Sequence, residues 1–194
     1  MAADIRKKLE VYQQACRKGT DWLLGYLNPD GSIGPAQEWV FYYRVPWTFA
    51  LMGETAAAGR MLDWIKGKMF TPDGAFEGFS PQGLFEERYG SYPLACLLVG
   101  ATHLHRLDIV VPGTRSLLTW QDPKTGGFRN CREAADADDE QEIFPTCQAG
   151  MTLLLVGQVD AARKAGGWLE RVWSLQPDRE RMLYAVYTSD KGLV

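Results

Sequence analysis

The chain has 194 residues, 46% hydrophobic and 23% charged, which is enough to bury a core as one globular domain. Its formal net charge of -3 argues against the basic surface that binds nucleic acid or an anionic membrane. No apolar run reaches the roughly 18 residues that span a bilayer, and the first residues lack the apolar core of a secretory signal.

Four segments share a pattern that predicts one class of amphipathic helix. Each places a tryptophan in a helical segment, and the first three end at a turn rich in proline and glycine, residues that stop helices. We expect the tryptophans of the first, second and fourth copies to pack between repeats. The four tryptophans are Trp22, Trp64, Trp120 and Trp168, and the three turns end at Gly31, Gly74 and Gly126-Gly127.

A second class of segment is apolar almost all round, which predicts buried helices. Each begins at a proline and ends at a glycine, residues that suit the first turn and the C-terminal cap of a helix. Eleven residues separate Gly53 from Trp64, and eleven separate Gly157 from Trp168, which predicts one repeated turn. The three buried segments are Pro46–Gly53, Pro93–Gly100 and Pro145–Gly157.

These helical hairpins predict an all-α fold in which repeats stack within a single domain, residues 1–194. The alternation typical of strands is scarce, and only the stretch Met182–Tyr187 could form a short strand. The repeats are expected at roughly 15–53, 54–100, 112–157 and 158–194.

The repeat resembles those of two related families, the triterpene cyclases and the β subunits of protein prenyltransferases. The segment from Lys18 to Ile33 is similar to the cyclases' QW repeat, with Leu27 replacing the Gln and Ile33 the Trp. The third copy keeps Gln121, and Gly126-Gly127-Phe128 resembles the prenyltransferase repeat. The resemblance implies an α/α toroid.

The number of hairpins implies that the toroid is incomplete. A whole ring of this type has about six hairpins and this chain encodes about three and a half, so we expect about half a ring. The chain is then truncated, or a partner completes the ring, or the arc stands open. An open arc exposes an apolar edge, which predicts self-association or a covering partner chain.

Polar and aromatic residues cluster before each buried helix, where the pockets of such folds lie. The three clusters occupy the same place in the repeat, so we expect them to converge on one cavity that takes a small apolar molecule. Arg44 and Arg88 would orient a carboxylate or enolate, and Glu38 or Glu86 would act as base. The alternative is that these charges cap helices or bridge repeats. Other expected substrate contacts are Trp39, Tyr42, Tyr43, Trp47, Tyr89, Tyr92 and Gln148, with core packing as the alternative for the aromatic residues.

The run Asp136-Ala137-Asp138-Asp139 resembles the D-x-D-D acid motif of class II terpene cyclases. In that family the middle aspartate protonates an alkene or epoxide, so the resemblance implies Asp138 as the acid, with Asp136 and Asp139 as supports. Crowding and burial raise a carboxyl pKa, and aromatic rings stabilise cationic intermediates. The alternative is a solvated acidic loop, because Glu140 and Glu142 follow.

The four cysteines form no C-x-x-C pair, so we expect free thiols in the cytoplasm. A zinc site would need Cys131 and Cys147 together with His103 or His105, whose spacing is not that of a standard site. Cys147 could be a nucleophile, but a cysteine on an apolar helix is more often simply buried. We expect no metal and no cofactor.

The sequence favours a terpene-cyclase-like enzyme of secondary metabolism. It would perform cyclisation, isomerisation or elimination on a small, largely apolar molecule by acid–base chemistry. Two alternatives stay open. One is a non-catalytic binding or scaffold module, and the other is a carbohydrate-processing α/α-barrel enzyme.

Overall fold

The structure, a computed structural model, describes residues 2–34, 42–77, 90–129, 140–180, 185–188 and 192–193. In these ranges the chain is mostly helical, as predicted, with one small antiparallel sheet. The helices are α1 (Ala2–Gly25), α2 (Val45–Leu51), α3 (Thr55–Lys68), α4 (Ser91–His103), α5 (Leu107–Leu118), α6 (Ile143–Leu155) and α7 (Val159–Leu175). The strands are β1 (Gln141–Glu142), β2 (Val186–Thr188) and β3 (Gly192–Leu193), paired in that order.

Three helical hairpins follow one another at a constant step along the chain. Helices α2, α4 and α6 end at residues 51, 103 and 155, and their partners α3, α5 and α7 begin at residues 55, 107 and 159. Both series advance in steps of 52 residues. Left-handed residues mark each hairpin turn at the same step: Gly53, His105 and Gly157, with φ of 79°, 53° and 80°.

The prediction that Gly100 ends a buried helix is wrong, because Gly100 lies inside α4. Its role is close packing. A Cβ at this position would come within 2.7 Å of the backbone nitrogen of Trp47 on α2. The turn residue of this hairpin is His105, which occupies the place of a glycine.

The helices form an inner row flanked by outer helices. Helix α4 packs against α2 on one side and α6 on the other, while α3, α5 and α7 each pack against the inner helix that precedes them. Every residue of Ser91–Ala101 is buried, so α4 lies at the centre of the core. This burial matches the prediction for the second apolar segment. The prediction is wrong for the other two, which are buried on one side only: Leu51 on α2 is 63% exposed and Leu154 on α6 is 61% exposed.

The tryptophans of the amphipathic segments have different surroundings. Trp168 is buried, and Trp64 stacks on Tyr42 with ring centroids 4.5 Å apart, so both pack inside the fold. Trp22 does not, since 62% of its surface is exposed on α1, which meets the other helices mainly at α2. Trp120 lies beyond the end of α5 and is not equivalent to the others.

The sheet lies at the last of the described junctions, just before α6. β2 pairs with β1, and the Tyr187 ring lies edge-on to Trp168 with centroids 6.4 Å apart. β2 overlaps the C-terminal end of the stretch 182–187 that could form a short strand, and residues 182–184 of that stretch lie outside the described residues. Within the described ranges no helix has the length and hydropathy needed to cross a membrane.

Candidate functional site

The structure describes part of the predicted site. The described members lie in or just before α2, α4 and α6: Tyr42, Tyr43, Arg44, Trp47, Tyr92 and Gln148. The others lie outside the described residues: Glu38, Trp39, Glu86, Arg88, Tyr89, Asp136, Asp138 and Asp139.

An arginine lies over two tyrosines where the inner row begins. Arg44 is the N-cap residue of α2 and is exposed. Its guanidinium carbon lies 5.6 Å from the ring centroid of Tyr43 and 5.2 Å from that of Tyr92, within the range of cation–π attraction. The two tyrosine rings meet edge-on, 5.8 Å apart. Helix α4 thus supplies one ring and the α2 junction supplies the other.

Arg44 makes no ion pair with any carboxylate of the described ranges. Other exposed arginines of the fold do, for example Arg17 with Glu54 at 2.7 Å. Within the part of the chain that the structure describes, the guanidinium of Arg44 therefore has no carboxylate partner; it makes a side-chain hydrogen bond with Cys96, and a guanidinium has further donors that an anion can use.

The aromatic surface continues from α4 onto α6. Phe144 stacks on Tyr92 with centroids 4.2 Å apart, and 45% of its surface remains exposed. Tyr92 is almost fully buried beneath it. Phe144 was not among the predicted site residues, although Tyr92 and Phe144 lie one step of 52 residues apart, a signal that the sequence contains.

A buried thiol lies close to the guanidinium. Cys96 on α4 has no exposed surface, and burial raises the pKa of its thiol to about 11. The positive charge of Arg44 opposes this rise but does not cancel it. Burial therefore favours the protonated thiol, which disfavours a thiolate nucleophile at this position.

Three of the predicted site residues lie in or beside the contacts that pack the helices. Tyr42 is fully buried, and its hydroxyl oxygen accepts a hydrogen bond from the Ile33 N–H at 3.1 Å, so core packing describes it. Trp47 is half-buried at the contact between α2 and α4. Gln148 donates to the Thr152 hydroxyl at 3.3 Å, at the contact between α6 and α4.

The junction before α6 is held by its own polar contacts. Burial acts to raise the pKa of Asp122, but hydrogen bonds from Thr125, Arg129 and Lys124 outweigh it and lower the pKa. Arg129 lies 2.6 Å from this carboxylate. The Thr125 hydroxyl donates to the buried Gln141 side chain at 2.6 Å. These contacts fix the start of α6, and with it Phe144.

The described residues hold no group of three or more His, Cys, Asp or Glu side chains that could bind a metal ion. Cys131, part of the zinc set considered above, lies outside them. Partial burial raises the pKa of the Cys147 thiol, which disfavours its nucleophilic form.

No functional assignment comes from similarity to other proteins. Models of known protein families give no match to this chain, and curated proteins give no match either.

Proposed function

We propose that this protein is an enzyme of small-molecule metabolism, acting on a largely apolar molecule that carries a carboxylate or enolate. The substrate binds where α2, α4 and α6 begin, with its anionic group on Arg44. The observation that carries the proposal is the position of Arg44, which lies over Tyr43 and Tyr92 and has no carboxylate partner in the described ranges.

The surroundings of Arg44 suit a ligand with one polar end. A guanidinium binds a carboxylate through two parallel hydrogen bonds, and the flanking rings restrict its orientation. The apolar part of the ligand would lie along the exposed face of Phe144, whose partner Tyr92 is buried. An apolar surface with one convergent polar group is the usual composition of a small-molecule site.

The proposed framework is an incomplete α/α toroid. The inner row of α2, α4 and α6, with an outer helix behind each, supports this arrangement. The proposed reaction is cyclisation, isomerisation or elimination without a cofactor. Asp138 acts as the acid beside Asp136 and Asp139, and support for that role is the sequence resemblance alone.

The first experiment tests the anion site. Isoprenoid and medium-chain carboxylic acids, each paired with the alcohol of the same skeleton, are titrated against the protein by calorimetry. We expect acids to bind more tightly than alcohols, and Arg44→Gln to weaken acid binding by about ten- to a hundredfold, the value of lost charge-assisted hydrogen bonds. Arg115→Gln is the matched control, because Arg115 is exposed on α5, a helix that carries none of the described site residues. Equal binding of acids and alcohols would contradict the proposal.

The second experiment tests catalysis. Acids that bind are incubated with the protein, and products are followed by mass spectrometry. Asp138→Asn should abolish turnover while leaving binding and the melting temperature unchanged, since an amide cannot donate the proton. Unchanged turnover would eliminate Asp138 as the acid.

A non-catalytic binding module is the second candidate, favoured by the surface of α1. Exposed apolar side chains follow this helix, and an open groove of about 620 Å3 runs between it and Met52. A scaffold would bind a protein through this groove and would show no preference among small acids. The exposed residues of α1 are Ile5, Leu9, Val11, Tyr12 and Trp22, and Tyr26 follows just after its end.

A further inference from the structure

We propose that the exposed side of α6 is the interface through which two copies of this chain associate. This surface, the α6 face, consists of Cys147, Met151, Leu154 and Leu155. Cys147 is exposed, and the other three side chains are 47%, 61% and 45% exposed. Their spacing places them on one stripe along the helix. A contiguous apolar stripe of this kind marks a docking surface.

The contacts of α4 show which side of this inner helix faces α2 and which side faces α6. Gly100 faces α2, since a Cβ there would press on the backbone at Trp47. Ala95 faces α6, because the Thr152 hydroxyl donates to its carbonyl oxygen at 3.1 Å. One side of an inner helix therefore meets the preceding inner helix, and the other side meets the following one.

Because equivalent positions of the inner helices are 52 residues apart, the sides seen on α4 can be assigned to residues of α6. Trp47, which contacts α4, is equivalent to Val99 on α4 and to Met151 on α6. Ala95 on α4 is likewise equivalent to Cys147 on α6. On α4 these positions are covered, with Ala95 0% and Val99 2% exposed, whereas Met151 is 47% exposed. The α6 face is therefore a helix-packing surface that no helix of the described ranges covers.

A second copy of the chain fits this surface. Helix α6 carries no charged side chain, so two copies related by a two-fold axis meet there without like-charge repulsion. Met151 lies in the middle of the stripe, and the axis would pass close to it. The inner row of α2, α4 and α6 then continues into the partner's α6, which extends the packing already present between α4 and α6.

The test is the oligomeric state of the full chain. We expect sedimentation equilibrium to show a monomer–dimer equilibrium over a wide range of concentration. Met151→Lys should raise the dimer dissociation constant at least about tenfold, because two lysines would be buried without partners. Met151→Leu should leave it unchanged. Leu107→Lys is the matched control, since Leu107 is 66% exposed on α5.

A cross-linking measurement locates the contact between the two copies without a substitution that could unfold the chain. In a chain whose Cys16, Cys131 and Cys147 are replaced by serine, Met151→Cys should form an intermolecular disulfide under mild oxidation, because residues near a two-fold axis face their own copies. Leu107→Cys should not. A chain that is monomeric throughout overturns the proposal. So does a dimer that survives Met151→Lys with circular dichroism unchanged, or one that Tyr12→Lys on α1 disrupts instead.

Discussion

The hairpin turns allow one chemical change, glycine to alanine, to be tested in two backbone conformations. Gly157 ends the α6–α7 turn with φ of 80°, and Gly166 lies in the middle of α7. A Cβ at either position would meet no atom within 4 Å. Packing is therefore the same for both substitutions, and only the backbone conformation differs.

The two substitutions should change the free energy of unfolding in opposite directions. A left-handed conformation costs an alanine about 1–2 kcal/mol, and the loss of glycine's freedom in the unfolded chain returns about 0.5–1 kcal/mol. Gly157→Ala should therefore destabilise by about 0.5–1 kcal/mol. Gly166→Ala should stabilise by about 0.8–1 kcal/mol, the helix propensity difference. The pair should differ by about 1.5–2 kcal/mol.

Urea denaturation, followed by circular dichroism, measures both values. The corresponding difference in melting temperature is roughly 3–8 °C for a chain of this length. His105→Gly supplies an internal check, because His105 occupies the left-handed place of a glycine and its replacement should stabilise the fold. Changes of the same sign for both alanine variants would refute the reasoning, and with it the equivalence of the hairpin turns.

Two further predictions concern charge and burial. Hydrogen bonds from Arg106 and Lys66 hold the pKa of Asp108 well below its usual range, so its stabilising contribution is complete above about pH 4 and is lost as the pH falls further. The ion pairs of Asp108 with Lys66 and Arg106 are partly exposed, so Asp108→Asn should lower the free energy of unfolding by less than about 1 kcal/mol at pH 7. The variant should also lose less stability than the parent chain as the pH falls below about 4. An equal loss of stability in acid would contradict this. Trp168→Ala should lower the free energy of unfolding, measured in urea, by about 3–5 kcal/mol, because it removes a buried ring. Trp22→Ala removes an exposed ring and should cost less than about 0.5 kcal/mol. Equal losses would contradict the packing.

The sequence was most informative about the core of the inner helices and least about their register. The residues from Ser91 to Ala101 are apolar almost all round, and all of them are buried. The sequence signal for helix ends was misleading, because proline and glycine serve several purposes. Pro93 and Pro145 lie one step of 52 residues apart, whereas Pro46 falls five residues beyond the corresponding position.

The sequence also predicted some features of the candidate site, whereas others required the tertiary structure. The clusters before the inner helices were visible as composition, and Arg44 with its neighbour Tyr43 was predicted from adjacency alone. Its second ring, Tyr92, required α4 to pack against α2. The sequence left both core packing and substrate contact open for Tyr42 and gave no role to Phe144, because burial depends on neighbours distant in sequence.

The sequence by itself determined that this chain forms helical hairpins with apolar inner helices, because helix periodicity and turn residues act within a few neighbours. The tertiary structure alone decided which side of each inner helix is covered and which residue takes the left-handed turn, as Gly100 and His105 illustrate. It also decided which rings Arg44 meets. Those outcomes depend on how closely two backbones approach, and that distance is set by residues about 52 positions apart.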